Sequence, residues 1–289
     1  MLRLKDGIDT LRYWNAVSRT VSAHETKVDQ AKALDDLRRQ RPDMDNILAA
    51  IERDGVVAIA NYWPTEKCAA AQADVERLLL EYPDVVQRFS ANSDKRMFGG
   101  EAKSAVIAEF HSDSFLRRIG EYMGGFGLYN FSTLAARIDA TAENNGSGDG
   151  WHRDAHGFQF KSILYLSDVG DSNGPFEYVD GSHKWWRASL EAALGGLPPA
   201  PNTRYDAAAV RRVIKSFGLK ARSVVGKAGT LLLANTSGLH RGRPLQSGTR
   251  YALTNYFYYP YQIDENKIAT FPPMIPGAAD RVRRDLLAN

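Results

Sequence analysis

Residues 151–154 read Trp151, His152, Arg153, Asp154, and far downstream they are answered by His240 and then Arg250. In an extended chain, side chains two apart share a face, so His152 and Asp154 reach one point while Arg153 turns away. Helical winding advances about 100° per residue and separates the same pair by roughly 200°. The flanking sequence favours the extended form. Asn144, Asn145, Gly146, Ser147, Gly148, Asp149 and Gly150 make a glycine-broken loop before the pair, and a β-rich run over 158–166 follows it. Two imidazoles and one carboxylate occupy one face of an octahedral metal ion and leave three positions open. His152, Asp154 and His240 are therefore candidate metal ligands. Alone, a His and an Asp two apart equally suit an ordinary polar turn, so the downstream half carries the weight.

That half is ordered as a site would be. Residues 229–235 read as a glycine turn feeding a buried strand, His240 follows a short polar break, and Arg250 opens a second strand over 251–259 rich in Tyr, Phe and Thr. Arg250, Ala252, Thr254, Tyr256 and Tyr258 alternate onto one face, which makes Thr254 and Tyr256 candidate cavity residues, although strand aromatics usually serve the core. In the earlier run, Gln159, Lys161, Ile163 and Tyr165 alternate with Phe158, Phe160, Ser162 and Leu164. Lys161 reads as an outward solubilising residue, with a second cationic contact in the site as the alternative. Arg137 lies in an apolar strand over 134–139, where a buried cation needs Asp139, a substrate anion or a co-substrate as partner. His156 has the strand parity of His152 and Asp154 and suits a place behind the ligands.

Together these segments resemble the phytanoyl-CoA dioxygenase family, within the Fe(II)- and 2-oxoglutarate-dependent oxygenases. Residues 151–154 stand for its first ligand pair, 173–184 (NGPFEYVDGSHK) for its glycine, serine and histidine turn, and 240–250 for its distal ligand and co-substrate arginine. Residues 51–62 (IERDGVVAIANY) resemble its N-terminal strand. The resemblance implies a mainly β fold with surrounding helices, a double-stranded β-helix of jelly-roll, cupin-like type. It implies Fe(II) on His152, Asp154 and His240, with Arg250 pairing through its planar fork to the distal carboxylate of 2-oxoglutarate. Arg241 and Arg243 rival Arg250 but sit too close to His240. Thr254, Arg137 and Lys161 are further candidates for the co-substrate pocket, and His183, in the family's turn, suits a structural hydrogen bond.

Related halogenating enzymes replace the carboxylate by a small residue, and Asp154 is retained. The expected reaction is therefore hydroxylation of a C–H bond of a small molecule with O₂, releasing succinate and CO₂. A cupin-like metal-dependent hydrolase or isomerase, or a ligand-binding barrel without catalysis, are the other readings of the same ligand set.

With 289 residues and 44% apolar content, the chain is long enough for one large core, and a single oxygenase domain over 1–289 is the expectation. Within it, 1–50 reads as a helical extension that also suits a homodimer contact. The barrel core is expected over 129–262, with an insertion at about 185–220 that helps cover the substrate. A net charge of +3, from 37 basic and 34 acidic residues, gives no footing for nucleic acid. The single cysteine, Cys68, rules out an internal disulfide, falls in a helical pattern over 65–82, and suits a reducing, cytoplasmic setting. No stretch approaches the roughly 20 apolar residues of a membrane span.

Overall fold

Strand residues in this chain divide sharply between two faces, and that division builds the molecule. The computed structural model describes residues 3–90, 92–144, 146–148 and 150–287, so Asn145 and Asp149 of the loop before the ligand pair lie outside the described residues. The strands are β1 (Val56–Ile59), β2 (Gln87–Phe89), β3 (Asp94–Phe98), β4 (Tyr129–Asp139), β5 (Phe160–Tyr165), β6 (Phe176–Val179), β7 (Ala221–Val224), β8 (Leu231–Asn235), β9 (His240–Gly242) and β10 (Thr249–Tyr258). They pair antiparallel in a seven-stranded sheet of order β1-β8-β5-β10-β4-β3-β2 and a three-stranded sheet of order β7-β6-β9. This is the jelly-roll core, and three of the seven large-sheet strands precede residue 129.

One face of the large sheet is apolar and covered by helices. Phe160 and Leu164 of β5, Leu231 and Leu233 of β8, Leu253 and Phe257 of β10 and Ala135 of β4 join one buried cluster with helical residues such as Leu78 and Ile119. Each fully buried large apolar side chain contributes about 1.5–3 kcal/mol. Residues of the opposite parity turn toward the small sheet, where Tyr165, Phe176, Tyr178, Val224, Leu232 and Ala252 pack together.

The covering helices are α1 (Leu4–His24), α2 (Gln30–Gln40), α3 (Met44–Asp54), α4 (Thr65–Glu81), α5 (Ala105–His111), α6 (Ser114–Gly124), α7 (Trp185–Ala193), α8 (Ala207–Ser216), α9 (Glu265–Thr270) and α10 (Ala278–Leu287). Among the described residues, helices hold 43% against 23% in strands, so the wrapping outweighs the barrel it encloses. Side-chain caps start several of them: Asp29 accepts from Lys32 N, and Asp206 from Ala209 N. Gly55, at φ +90°, stops α3 so that β1 begins one residue later. Cys68 is buried in α4. Among the described residues, no helix is long and apolar enough to cross a membrane.

Candidate metal centre

His152 lies in a one-residue bridge, and β9 begins at His240. The two backbones exchange hydrogen bonds, each amide donating to the other's carbonyl at 2.9 Å. This reciprocal pair sets the rings side by side, with centroids 4.2 Å apart. Asp154 is anchored by its own amide, which donates to Thr236 O at 2.9 Å. The carboxylate then lies 3.7 Å from His152 Nε2 through Oδ1 and 3.5 Å from His240 Nε2 through Oδ2. One ligand atom from each residue falls within 4.8 Å of the others. Arg153 turns away, as expected for an extended pair, and is buried against Glu191, Ser182 O and Ser237 O.

The protonation pattern suits a cation. His152 Nδ1 donates to Gly150 O at 2.8 Å and His240 Nδ1 to Gly238 O at 2.9 Å, so both Nε2 lone pairs point into the cluster. Burial, helped by His240, holds the His152 ring at about 3, and burial also lowers His240, so both are neutral near pH 7. Burial alone pushes the Asp154 carboxyl up, but the adjacent Lys161 ammonium overrides it and keeps the group well below the usual carboxylate range. Gly148, at φ +85°, passes so close that a Cβ there would lie 2.2 Å from His152 Cε1. Only glycine meets both conditions.

The cluster opens into a cavity of about 190 Å³ between the two sheets. Its lining follows strand parity: Leu134, Ala136 and Ile138 of β4, Lys161, Ile163 and Tyr165 of β5, and Arg250, Ala252, Thr254 and Tyr256 of β10. Arg250 is 6% exposed, and its guanidinium donates to Ser147 Oγ at 2.7 Å. Its Nε has no partner among the described residues, and burial pulls the group below its ordinary value, offset in part by Tyr165 and Asp94. Arg96, also on the wall, is satisfied by buried Asp94. The cavity thus holds a metal-ligand set and a guanidinium with no ion pair among the described residues.

The other sequence candidates separate cleanly. Thr254 and Tyr256 line the cavity. Lys161 corrects the outward expectation: it is 8% exposed, faces the cavity, and its Nζ lies 2.7 Å from Asp154 Oδ2. Arg137 is not brought to the cavity, because its parity on β4 is that of Ala135, and it pairs instead with Glu76 at 2.9 Å and Asp139 at 3.2 Å. Arg241 and Arg243 are engaged with Glu177. His156 contacts Asn202 O at 2.7 Å and is not behind the ligands, while His183 contacts Glu52 O at 3.2 Å. Of the 185–220 segment only Arg204 reaches the cavity wall, whereas α8 packs beneath Trp151 and Leu239.

Arg96, Ser147, Tyr165 and Phe176 are cavity residues that sequence reasoning did not single out. Tyr165 shares parity with Lys161 and was accessible by that signal. Ser147 in a glycine-rich loop and Arg96 in a five-residue strand carried none.

Comparison with known proteins bears on this geometry. The sequence profile described as Phytanoyl-CoA dioxygenase (PhyH) matches residues 51–251. The ectoine dioxygenase of Bordetella parapertussis is 23% identical over 218 residues, which covers 65% of this chain and 66% of that protein, just under two thirds of its length. Among solved structures, the epimerase SnoN in complex with Fe3+, alpha ketoglutarate and nogalamycin RO superposes with a TM-score of 0.60 at 18% identity, covering 82% of this chain and 91% of SnoN. EctD from S. alaskensis with bound Fe gives a TM-score of 0.58 at 17% identity, covering 74% of this chain and 76% of EctD. At these identities the superpositions show a shared fold.

Proposed function

From the premise that this chain belongs to the phytanoyl-CoA dioxygenase family, we propose that it is an Fe(II)- and 2-oxoglutarate-dependent oxygenase that hydroxylates a C–H bond of a small-molecule substrate, releasing succinate and CO₂. The observation that carries the reading is a two-imidazole, one-carboxylate cluster sharing one buried cavity with an arginine that has no ion-pair partner among the described residues.

A bound Fe(II) would be held by His152 and His240 through Nε2 and by Asp154 through its carboxylate, a ligand set that would leave room for other ligands. Iron there supplies the oxidising chemistry with O₂ and 2-oxoglutarate; the chain supplies orientation and charge. Arg250 takes the distal carboxylate of the co-substrate in a two-pronged, charge-assisted contact, with Ser147 and Thr254 beside it. Apolar Leu134, Ile138 and Ile163 restrict water on the remaining walls. Iron and alpha ketoglutarate in the SnoN complex, and iron in EctD, support the same pair here. A hydrolase or isomerase on the same ligands leaves Arg250 without a task.

Anaerobic equilibrium binding of Fe(II) tests the ligand assignment. The expected result is one ion per chain, weakened more than about 100-fold by His240→Ala or Asp154→Ala, since losing a group that merely orients a ligand already costs about 10–100-fold. Unchanged binding in both variants would refute the site.

A further inference from the structure

Three protein ligands do not by themselves guarantee three open positions, because a carboxylate binds a metal through one oxygen or through both. If Asp154 chelated with both, two positions would remain, too few for a chelating co-substrate and O₂ together.

Lys161 bears on that choice. Its Nζ lies 2.7 Å from Asp154 Oδ2 and 4.1 Å from the centre of the Tyr256 ring. Lys161 on β5 and Tyr256 on β10 are direct cross-strand partners on the cavity face, so two paired backbones fix the ammonium between a carboxylate and an aromatic ring. Asp154 is held from the other side by its amide on Thr236. The contact is a close ion pair at an oxygen that also faces His240 Nε2 at 3.5 Å, so the ammonium competes with the metal for that oxygen.

We propose that Lys161 is a positioning residue: braced by Tyr256, its ammonium reserves Oδ2 of Asp154 and leaves Oδ1 as the one carboxylate atom available to the metal. The inference rests on the metal site proposed above. A purely structural lysine would support metal binding. A positioning lysine, being a cation beside a dication, opposes binding slightly while keeping coordination open. Removing it should therefore leave affinity equal or higher and reduce the number of open positions.

The experiment loads the protein with Mn(II) and compares water-proton relaxation, which reports exchangeable waters on the ion, for wild type, Lys161→Met and Lys161→Arg. Lys161→Met is expected to bind Mn(II) at least as tightly as wild type with relaxivity lower by about one third, as three open positions become two. Lys161→Arg, which keeps the charge, is expected to restore the wild-type value. Equal relaxivity in wild type and Lys161→Met, with Mn(II) bound, overturns the role of Lys161 alone; failure of wild type to bind Mn(II) overturns the metal reading instead.

Discussion

Arg250 is the residue on which the co-substrate reading turns. A guanidinium 6% exposed, given one serine hydroxyl and no ion-paired carboxylate among the described residues, is in deficit unless an anion joins it. Lysine there would keep the charge and lose the fork. Loss of one charged hydrogen bond, worth about 1.5–3 kcal/mol, predicts that Arg250→Lys weakens 2-oxoglutarate binding by roughly 10–100-fold with Fe(II) binding unchanged. Calorimetric titration checks this, and a change under about threefold counts against a bidentate contact. Extended-chain parity put His152 and Asp154 on one face, and the family resemblance added His240 and Arg250; the structure brings all four to one cavity. The placing of Lys161 and Arg137 was not legible, since alternation says which residues share a face but not which face meets the cavity. Lys161 lies inward beside Asp154, against the outward expectation, whereas Arg137 meets Asp139, one of its expected partners, together with Glu76 and away from the cavity.

The ligand pair also joins elements that are distant in sequence. Arg153, between the two ligands, is buried against Glu191 of α7. Burial pushes the Glu191 carboxyl up to about 6, partly offset by Arg153. Glu191→Ala leaves Arg153 buried without its partner and should cost about 3–5 kcal/mol, whereas Arg153→Met with Glu191→Leu should cost much less. Urea denaturation of both proteins tests this; a single-variant cost under about 1 kcal/mol would deny the coupling between α7 and the ligand segment. At this scale β5, β8 and β10 were readable because their apolar residues alternate or run continuously. The short strands β2, β6, β7 and β9 were not, since three or four residues carry too little periodicity and depend on pairing for their form. In the segment expected to help cover the substrate, α8 packs with Trp151 and Leu239, α7 brings Glu191 to Arg153, and Arg204 reaches the cavity wall.

Across the whole molecule, buried neutral histidines make stability depend on pH. Burial holds His111 at about 3 and His156 and His183 at about 4. Unfolded, each ring takes up a proton near its ordinary value of about 6.5. The unfolded chain then binds more protons, so stability is full above that pH and is lost as pH falls toward 4, by up to about 1.4 kcal/mol per unit for each ring. Urea midpoints of the metal-free protein should drop between about pH 7 and 5, and flat midpoints would contradict these environments. The same enclosure brings β4, β5, β9 and β10 to one cavity where metal ligands and Arg250 share a solvent-restricted space, the central claim. Anaerobic addition of 2-oxoglutarate to the Fe(II)-loaded protein tests it most directly, through the visible charge-transfer absorption of a chelated co-substrate. The expected result is a band in wild type that is lost, or needs far more co-substrate, in Arg250→Ala. Iron bound without any band, or a band indifferent to Arg250, would contradict the account.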